Sequence, residues 1–353
     1  MAKLNVAILG ASGYGGAELL RRLRHHPNAE VVAASSRRYQ GRALGEAWPQ
    51  FAGESLLFTS SSEALKRGEL IFSALPHGTA LEVVKEARET GKRVVDLSAD
   101  YRLSPEDYQR WYGKEHPYPA LCAQAVYGLS ELHRGETRGA GLVANPGCHA
   151  TAAALALAPL AAHGLLGPDT VVHSATGVSG AGRAPPTGFH YSDVNENYQP
   201  YGVAGTHRHT AEIENSLGRV RRAGRQVTTH DAFEPVLVSF NPHLAPMTRG
   251  ILASCSTRPK AAPDGGELLE LYRHFYAGER LVHVQAELPQ TKSVYGSDRT
   301  LISVRKDARS GHIVAFAALD NLGKGAAGQA VQNMNLMCGF EETAGLSVAA
   351  VYP

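Results

Sequence analysis

The first 25 residues contain the feature that most restricts the fold of this chain. A β-prone run, Leu4 to Leu9, is followed directly by the glycine-rich turn of residues 10–16 and by a helical pattern over residues 17–25. A second β-prone run follows at residues 29–34. Strand, glycine turn, helix and strand form the unit in which a dinucleotide pyrophosphate lies against a helix N-terminus. The spacing is G-x-x-G-x-x-G, and the complete unit predicts a Rossmann domain that the glycines alone would not.

The residues after the second strand indicate which dinucleotide is bound. An NAD site usually has an acidic residue there, about 20 residues past the glycines, whereas this chain has Ser35, Ser36, Arg37 and Arg38 and no carboxylate. Guanidinium groups suit a 2′-phosphate, so we predict NADPH as the cofactor; the alternative is that both arginines are solvated surface charges. The predicted cofactor-binding residues of this region are Gly10, Ser12, Gly13, Tyr14, Gly16, Ser36, Arg37 and Arg38.

The alternation of strands and helices continues along the first third of the chain. Residues 70–75 and 93–97 have the pattern of short buried parallel strands, and residues 80–89 between them have that of a helix. This order predicts a doubly wound parallel sheet. Ligands of such sheets gather beyond the carboxyl ends of the strands, so Arg102, which follows the second of these strands, is a candidate for binding an anion.

Cys148 lies between a turn and a long apolar helix pattern. Asn145-Pro146-Gly147 must turn, and from Thr151 onward the chain is rich in Ala and Leu and apolar almost all round. The cysteine is therefore expected near a helix N-terminus, where unsatisfied N–H groups and the helix dipole favour a thiolate. A free cysteine can also be a small buried hydrophobe. The position favours a nucleophile.

Two histidines provide candidates for the acid/base that a thiol nucleophile needs. His207 and His209 flank Arg208 just before a helical stretch, and on an extended segment they would face the same side. Two histidines could belong to a metal site, but no third ligand stands at a suitable spacing, and we expect no metal. A neutral imidazole beside a thiolate needs nothing further. Upstream, a predicted strand at residues 170–175 leads into the glycine-rich loop of residues 176–183, which is either a ligand-binding loop or a connection.

Composition excludes several classes of partner. The 353 residues carry 35 Lys+Arg and 33 Asp+Glu, a net charge of +2, so no global field indicates nucleic acid or a membrane surface. Four widely spaced cysteines without a CxxC pair, and an N-terminus without a signal-peptide pattern, predict a reducing cytoplasm. No apolar run reaches the roughly 18 residues of a membrane span. We expect a small anionic substrate instead.

Six motifs together give the chain an end-to-end resemblance to N-acetyl-gamma-glutamyl-phosphate reductases, a family of arginine biosynthesis. In chain order these motifs are Asn145-Pro-Gly-Cys148, Gly177-Val-Ser-Gly-Ala-Gly-Arg183, Asn195-Glu-Asn-Tyr-Gln-Pro-Tyr201, His207-Arg-His-Thr-Ala-Glu-Ile213, Pro242-His-Leu-Ala-Pro-Met-Thr-Arg-Gly250 and Asp320-Asn-Leu-Gly-Lys-Gly-Ala-Ala-Gly-Gln329. The resemblance implies an α/β fold like that of aspartate-semialdehyde dehydrogenase. In that fold a Rossmann domain (residues 1–147 and 325–353), completed by a returning helix at residues 325–337, carries an inserted α+β domain for catalysis and dimerisation (residues 148–324).

The resemblance also implies a reaction and roles for residues. Cys148 would attack an acyl phosphate, phosphate would leave, and hydride from NADPH would reduce the thioester to a semialdehyde. His209, or alternatively His207, would be the acid/base, and the enzyme would be a homodimer or homotetramer. The remaining candidate residues are Ser179, Gly180 and Asn321 for the cofactor and Arg102, Arg208, Asn145 and Glu212 for the substrate.

One departure from the family pattern keeps other functions open. Family members commonly have Tyr-Pro after the cysteine, where this chain has His149-Ala150. Because neighbouring residues of a helix do not face one another, we expect His149 to form a wall of the site. The alternatives are a reductase of carrier-linked aminoadipyl phosphate in lysine biosynthesis, an enzyme that serves both pathways, and a non-catalytic NADP-sensing protein.

Overall fold

The computed structural model describes residues 2–184, 187–223, 235–261 and 263–352. Its strands are β1 (Leu4–Leu9), β2 (Ala29–Ser35), β3 (Phe58–Thr59), β4 (Leu70–Ser73), β5 (Arg93–Asp96), β6 (Val126–Tyr127), β7 (Leu142–Ala144), β8 (Val171–Thr176), β9 (Gln199–Pro200), β10 (Ser239–Leu244), β11 (Ile251–Thr257), β12 (Val282–Val284), β13 (Thr300–Lys306) and β14 (Ile313–Leu319). Its α-helices are α1 (Tyr14–Leu23), α2 (Leu44–Ala47), α3 (Ser61–Arg67), α4 (Leu81–Glu89), α5 (Pro105–Tyr112), α6 (Pro119–Gln124), α7 (Ser130–Thr137), α8 (Cys148–Ala162), α9 (Tyr191–Val194), α10 (His209–Ala223), α11 (Gly265–Phe275) and α12 (Gly328–Cys338). Short 3₁₀ turns occur at Pro49–Phe51, Val178–Ala181 and Lys292–Val294, and a π-helical turn, Gly323–Ala327, precedes α12.

The chain forms two compact units. The first contains Met1–Pro146 and Ala326–Ser347, and the second contains Gly147–Gly325 and Val348–Pro353. The C-terminal tail thus groups with the second unit, whereas the family resemblance implies that it belongs to the first. The tail is held there because the Val351 N–H donates to the Tyr295 carbonyl at 2.8 Å.

The first unit is built on a seven-stranded sheet of order β3-β2-β1-β4-β5-β7-β6, in which every neighbouring pair is parallel. Alternate residues of β1 point to opposite faces: Val6 and Ile8 belong to a core shared with α1 and α12, and Ala7 and Leu9 to a core shared with α3 and α4. Both faces are covered, as parallel sheets require. The predicted doubly wound Rossmann sheet is confirmed.

Two glycines of the turn after β1 are required by close packing. Gly10 has φ +76°, and a Cβ atom there would lie 2.6 Å from the Ala74 carbonyl oxygen. A Cβ atom on Gly16 would lie 2.5 Å from the Ala11 Cα. The turn can therefore bring β1 into α1 only with glycine at both positions.

The second unit contains a mixed seven-stranded sheet of order β12-β13-β14-β11-β8-β10-β9. The pairs β12–β13 and β8–β10 are parallel, and the other neighbouring pairs are antiparallel. Helices α8 and α11 pack against this sheet, and α10 packs against α8. The predicted α+β second domain is confirmed.

Helix α8 is the central helix of the second unit. Every residue from His149 to Ala161 is buried, which explains the apolar pattern on all sides of this segment. The hydroxyl groups of Tyr272 on α11 and of Tyr276, the residue that follows α11, donate to the carbonyls of Ala156 and Leu155, at 2.7 and 2.5 Å. The N-terminus of α8 is therefore fixed by a rigid core rather than carried on a loop.

Candidate active site

The N-terminus of α8 places Cys148 at the first helical position. Gly147 is the N-cap residue in an extended conformation, and its carbonyl accepts the Thr151 N–H at 2.8 Å. The Gly147 N–H donates to Glu212 Oε2 at 2.8 Å. The N-cap residue is a glycine and offers no side chain to the N–H groups of the first turn, so the positive end of the helix dipole lies in the region of the partly exposed thiol. This is an environment that favours a thiolate.

The His209 ring lies against the backbone that precedes Cys148. A Cβ atom on Gly147 would lie 2.3 Å from His209 Nε2, so only glycine leaves room for this ring. His209 is the first residue of α10, is 7% exposed, and has its Nε2 3.8 Å from Glu212 Oε1. The structure therefore brings Cys148, His209 and Glu212 together at one helix N-terminus.

His207 packs beside His209 but has a different hydrogen-bonding role. The two ring centroids are 4.6 Å apart, and His207 Nδ1 accepts the backbone N–H of His209 at 3.1 Å. Burial and then the charge of Arg208 lower the pKa of His207 to about 4, against an opposing effect of Glu212. His207 is neutral at pH 7, and one of its nitrogens is already used to hold the start of α10.

His149 is buried in the same region, as the sequence predicts for a residue of the site wall. Its Nδ1 lies 2.7 Å from Ser174 Oγ and its Nε2 lies 2.8 Å from Tyr201 Oη. Burial, with a further contribution from His207, lowers the pKa of His149 to about 3. Burial, with a further contribution from Cys148, raises the pKa of Tyr201. Both His149 and Tyr201 are therefore uncharged at neutral pH.

The glycine-rich loop after β8 is joined to the segment after β14. Asn321 Nδ2 donates to Ser179 Oγ at 3.0 Å, and the Gly250 N–H donates to Asn321 Oδ1 at 2.8 Å. A Cβ atom on Gly180 would lie 3.7 Å from Asn321 Nδ2. The structure thus brings together Ser179, Gly180 and Asn321, the three cofactor candidates of the second unit.

The cofactor candidates of the first unit surround the N-terminus of α1. Ser12 Oγ and Ser36 Oγ are 2.8 Å apart, and the N-cap residue of α1 is Gly13, which has no side chain to cap the helix. Open N–H groups at a helix N-terminus next to a glycine turn fit a pyrophosphate. Arg37 and Arg38 follow Ser36 and are exposed. These residues fit a nicotinamide dinucleotide.

The predicted substrate residues lie in different surroundings. Arg102, in the first unit, donates from Nη2 to the Leu97 carbonyl at 2.9 Å, and Arg208, in the second, is exposed. Asn145 is 1% exposed and its amide bonds to the Ala326 carbonyl and to the Asn333 side chain, both at 3.1 Å.

Ser174 and Tyr201, the two residues that hydrogen-bond His149, have no role that could be predicted from the sequence. They are 25 and 52 residues from it along the chain, and only the pairing of β8 with its neighbours brings them to α8. Tyr201 ends one of the quoted motifs, which is the one signal that could have indicated it.

The described residues contain no group of three side chains suited to hold a metal ion. None of the helices in the described ranges has the length and apolar character needed to cross a membrane.

Comparisons with known proteins agree with this architecture. A family model described as the NAD binding domain of semialdehyde dehydrogenase matches residues 5–140, and one described as the semialdehyde dehydrogenase dimerisation domain matches residues 148–321. The solved structure of aspartate semialdehyde dehydrogenase II of Vibrio cholerae complexed with ASA has a TM-score of 0.72 at 18% identity, covering 96% of this chain and 99% of that one. The Candida albicans enzyme with NADP has a TM-score of 0.65 at 19% identity, over 96% and 99%. Fold and site together define an enzyme of the semialdehyde dehydrogenase class, which uses a nicotinamide cofactor.

Relatives of higher identity define the family within that class. N-acetyl-gamma-glutamyl-phosphate reductase of Thermus thermophilus is 53% identical over 99% of this chain and 100% of its own length. The reductase of the same name from Symbiobacterium thermophilum is 46% identical, over 99% of both chains. The chain belongs to the N-acetyl-gamma-glutamyl-phosphate reductase family.

Proposed function

We propose that this enzyme reduces N-acetyl-γ-glutamyl phosphate to N-acetylglutamate semialdehyde with release of phosphate, using NADPH. The observation that carries the proposal is the juxtaposition of Cys148, His209 and Glu212 at the N-terminus of α8, in a chain 53% identical to a reductase named for this substrate. The first unit is then the cofactor domain and the second the catalytic domain.

Cys148 is the nucleophile in this proposal. Its thiolate attacks the carbonyl carbon of the acyl phosphate, a C–S bond forms, and the bond from that carbon to the phosphate oxygen breaks. The helix N-terminus stabilises the thiolate before attack. NADPH held by the glycine turn of residues 10–16 would supply a hydride to the thioester carbonyl carbon, and loss of the Cys148 thiolate would then give the aldehyde.

His209 is the acid/base in this proposal. General acid-base catalysis needs an imidazole whose nitrogen can reach the reacting group. His209 Nε2 lies against the residue before Cys148, whereas His207 uses Nδ1 to accept a backbone N–H. Glu212 positions both the nucleophile's backbone and the acid/base. Its Oε2 accepts the Gly147 N–H, and its Oε1 faces His209 Nε2. A direct contact of Glu212 with substrate stays a prediction.

In this proposal Arg102 and Arg208 bind the anionic groups of the substrate. An acyl phosphate that also carries an α-carboxylate presents two anionic groups, and guanidinium groups bind both kinds bidentately. Contact of Asn145 with the substrate also stays a prediction.

Arg37 and Arg38 select NADPH over NADH in this proposal. Replacing both by Ala should raise the KM for NADPH at least roughly tenfold, because charge-assisted hydrogen bonds contribute about 1.5 to 3 kcal/mol each, while the KM for NADH should change little. Steady-state kinetics with the two cofactors measures this difference. The double variant Lys66→Ala, Arg138→Ala removes two exposed positive charges elsewhere in the same unit and should leave both KM values unchanged. Equal weakening of both cofactors, or a wild-type preference for NADH, contradicts the assignment.

A non-catalytic NADP-sensing protein would need no activated thiol. At neutral pH we expect iodoacetamide to modify Cys148 rapidly and the other cysteines slowly. Burial raises the pKa of Cys122 to about 11 and of Cys255 to about 12, and burial also raises the pKa of Cys338. Mass spectrometry of the labelled peptides at early times measures the four rates. Equally slow labelling of all four cysteines would favour the sensor.

The substrate is tested in the reverse direction. N-acetylglutamate semialdehyde, phosphate and NADP should yield NADPH, whereas the longer semialdehyde of aminoadipate attached to its carrier protein should react far more slowly. A preference for the carrier-linked substrate would replace the proposed function by the lysine-pathway alternative, which gains no support from the named relatives. Comparable rates with both would indicate an enzyme that serves both pathways.

The family model for residues 148–321 carries the description of a dimerisation domain, which supports a homodimer or homotetramer in solution. A cytoplasmic setting, expected from the cysteine usage, keeps Cys148 reduced.

A further inference from the structure

Three polar side chains of the second unit form a continuous hydrogen-bond chain. His149 lies on the first turn of α8, Ser174 lies on β8, and Tyr201 follows β9. The imidazole joins the other two, with Nδ1 2.7 Å from Ser174 Oγ and Nε2 2.8 Å from Tyr201 Oη. The mechanism proposed above uses none of these three groups.

The hydrogen bonds among Ser174, His149 and Tyr201 have one favoured assignment of donors and acceptors. Ser174 is fully buried, and within the described part of the chain the imidazole is the hydrogen-bond partner of its hydroxyl. A buried hydroxyl whose proton is not donated is costly, so Ser174 donates to His149 Nδ1. The neutral imidazole then carries its proton on Nε2 and donates it to Tyr201 Oη. The Tyr201 hydroxyl proton is left to be donated to another group.

The residues around these three side chains hold them in place and keep them uncharged. The Tyr201 N–H donates to the Pro242 carbonyl on β10 at 3.1 Å, which anchors the tyrosine backbone to the sheet. The Phe240 ring packs edge-on to His149, with centroids 5.5 Å apart. The nearest titratable rings, His207 and His209, lie 5.9 and 5.8 Å from the His149 ring. The Tyr201 hydroxyl hydrogen-bonds the residue that follows Cys148 in the chain, and Cys148 adds to the burial that raises the pKa of Tyr201.

We propose that His149 is a positioning residue: with Ser174 it fixes the Tyr201 hydroxyl so that its free proton is donated to an oxygen of the acyl group bound at Cys148. The proposal rests on the thioester reaction proposed above. It also gives a function to the residue at which this chain departs from the Tyr-Pro that commonly follows the cysteine in the family. His149 itself touches no substrate, and its effect passes through Tyr201.

A double-mutant cycle tests this dependence. Tyr201→Phe removes only the hydroxyl, and His149→Phe keeps an aromatic ring in the same packing while removing both hydrogen bonds. Each single change should lower kcat/KM by roughly 10- to 100-fold, as for one hydrogen bond to a group that develops charge. The double variant should be no worse than Tyr201→Phe alone, because the two residues act as one unit. Losses that multiply would show that His149 does not act through Tyr201 and would overturn the proposal.

Further variants separate positioning from packing. His149→Gln, whose amide can still donate to Tyr201, should recover part of the loss, and Ser174→Ala should lose less than His149→Phe because the imidazole then adopts either tautomer. The affinity for NADPH should be the same in all variants. A His149→Gln variant as impaired as His149→Phe, at equal thermal stability, would contradict the proposal.

A measurement without substrate keeps this test separate from that of the proposed function. Nitrogen-15 NMR of the imidazoles should show His149 as the neutral tautomer with its proton on Nε2, and the opposite tautomer in the wild-type protein would overturn the proposal. If the wild-type enzyme prefers the carrier-linked semialdehyde, the proposed substrate is wrong. The same cycle run with that substrate then still decides whether His149 acts through Tyr201.

Discussion

Replacing Cys148 by Ser should abolish reduction of the acyl phosphate while leaving NADPH binding intact. A serine hydroxyl is not an equivalent nucleophile at neutral pH, and the helix N-terminus that favours a thiolate cannot ionise it. We expect turnover to fall below detection in the steady-state assay and the Kd for NADPH, from fluorescence titration, to stay unchanged.

A matched control separates the thiol chemistry from general damage. Cys338→Ser changes another partly buried cysteine, located at the end of α12 in the first unit, and should retain wild-type activity. Turnover of Cys148→Ser within tenfold of wild type would rule out a thioester at this residue.

Replacing His209 by Ala should lower kcat by roughly 10²- to 10⁴-fold, the usual contribution of general acid-base catalysis. The ring lies against Gly147, immediately before the nucleophile, and its removal takes away the proposed acid/base. Stopped-flow measurement of hydride transfer measures the loss on the chemical step.

His207→Ala is the control for the assignment of the acid/base. His207 holds the backbone N–H of His209 through one hydrogen bond at 3.1 Å, so its loss should cost roughly tenfold or less. A large loss in His207→Ala together with a small loss in His209→Ala would reverse the two assignments.

The parts of the fold that follow from local sequence patterns could be predicted. The order of strand, glycine turn and helix at the N-terminus predicts a parallel sheet. The glycines of this turn are visible in the sequence because the backbone packs too closely at Gly10 and Gly16 for any side chain. The buried helix containing Cys148 was predicted from its apolar pattern. It begins at Cys148 rather than Thr151 because Gly147 takes the N-cap position and accepts the Thr151 N–H. The sequence pattern at residues 145–147 does not show whether the helix begins at Cys148 or at Thr151.

The parts of the site that depend on distant contacts could not be predicted. Gly147 and Glu212 are 65 residues apart. The family resemblance implies a substrate role for Glu212, and no local pattern indicates its bond to a backbone N–H. The contact of Ser174 and Tyr201 with His149 has the same origin, since it depends on where β8 and the end of β9 lie relative to α8. The histidine motif was recognisable, yet only the positions of the rings distinguish the two histidines.

Trapping the acyl-enzyme tests the central claim most directly. With N-acetylglutamate semialdehyde and NADP but no phosphate, the reaction should stop after one hydride transfer, because the thioester has no phosphate to accept the acyl group. Mass spectrometry of the acid-quenched, digested protein should find an N-acetylglutamyl adduct on the peptide that contains Cys148, and added phosphate should remove it. Formation of NADPH without any adduct on Cys148, or with the adduct on another cysteine, would contradict the mechanism.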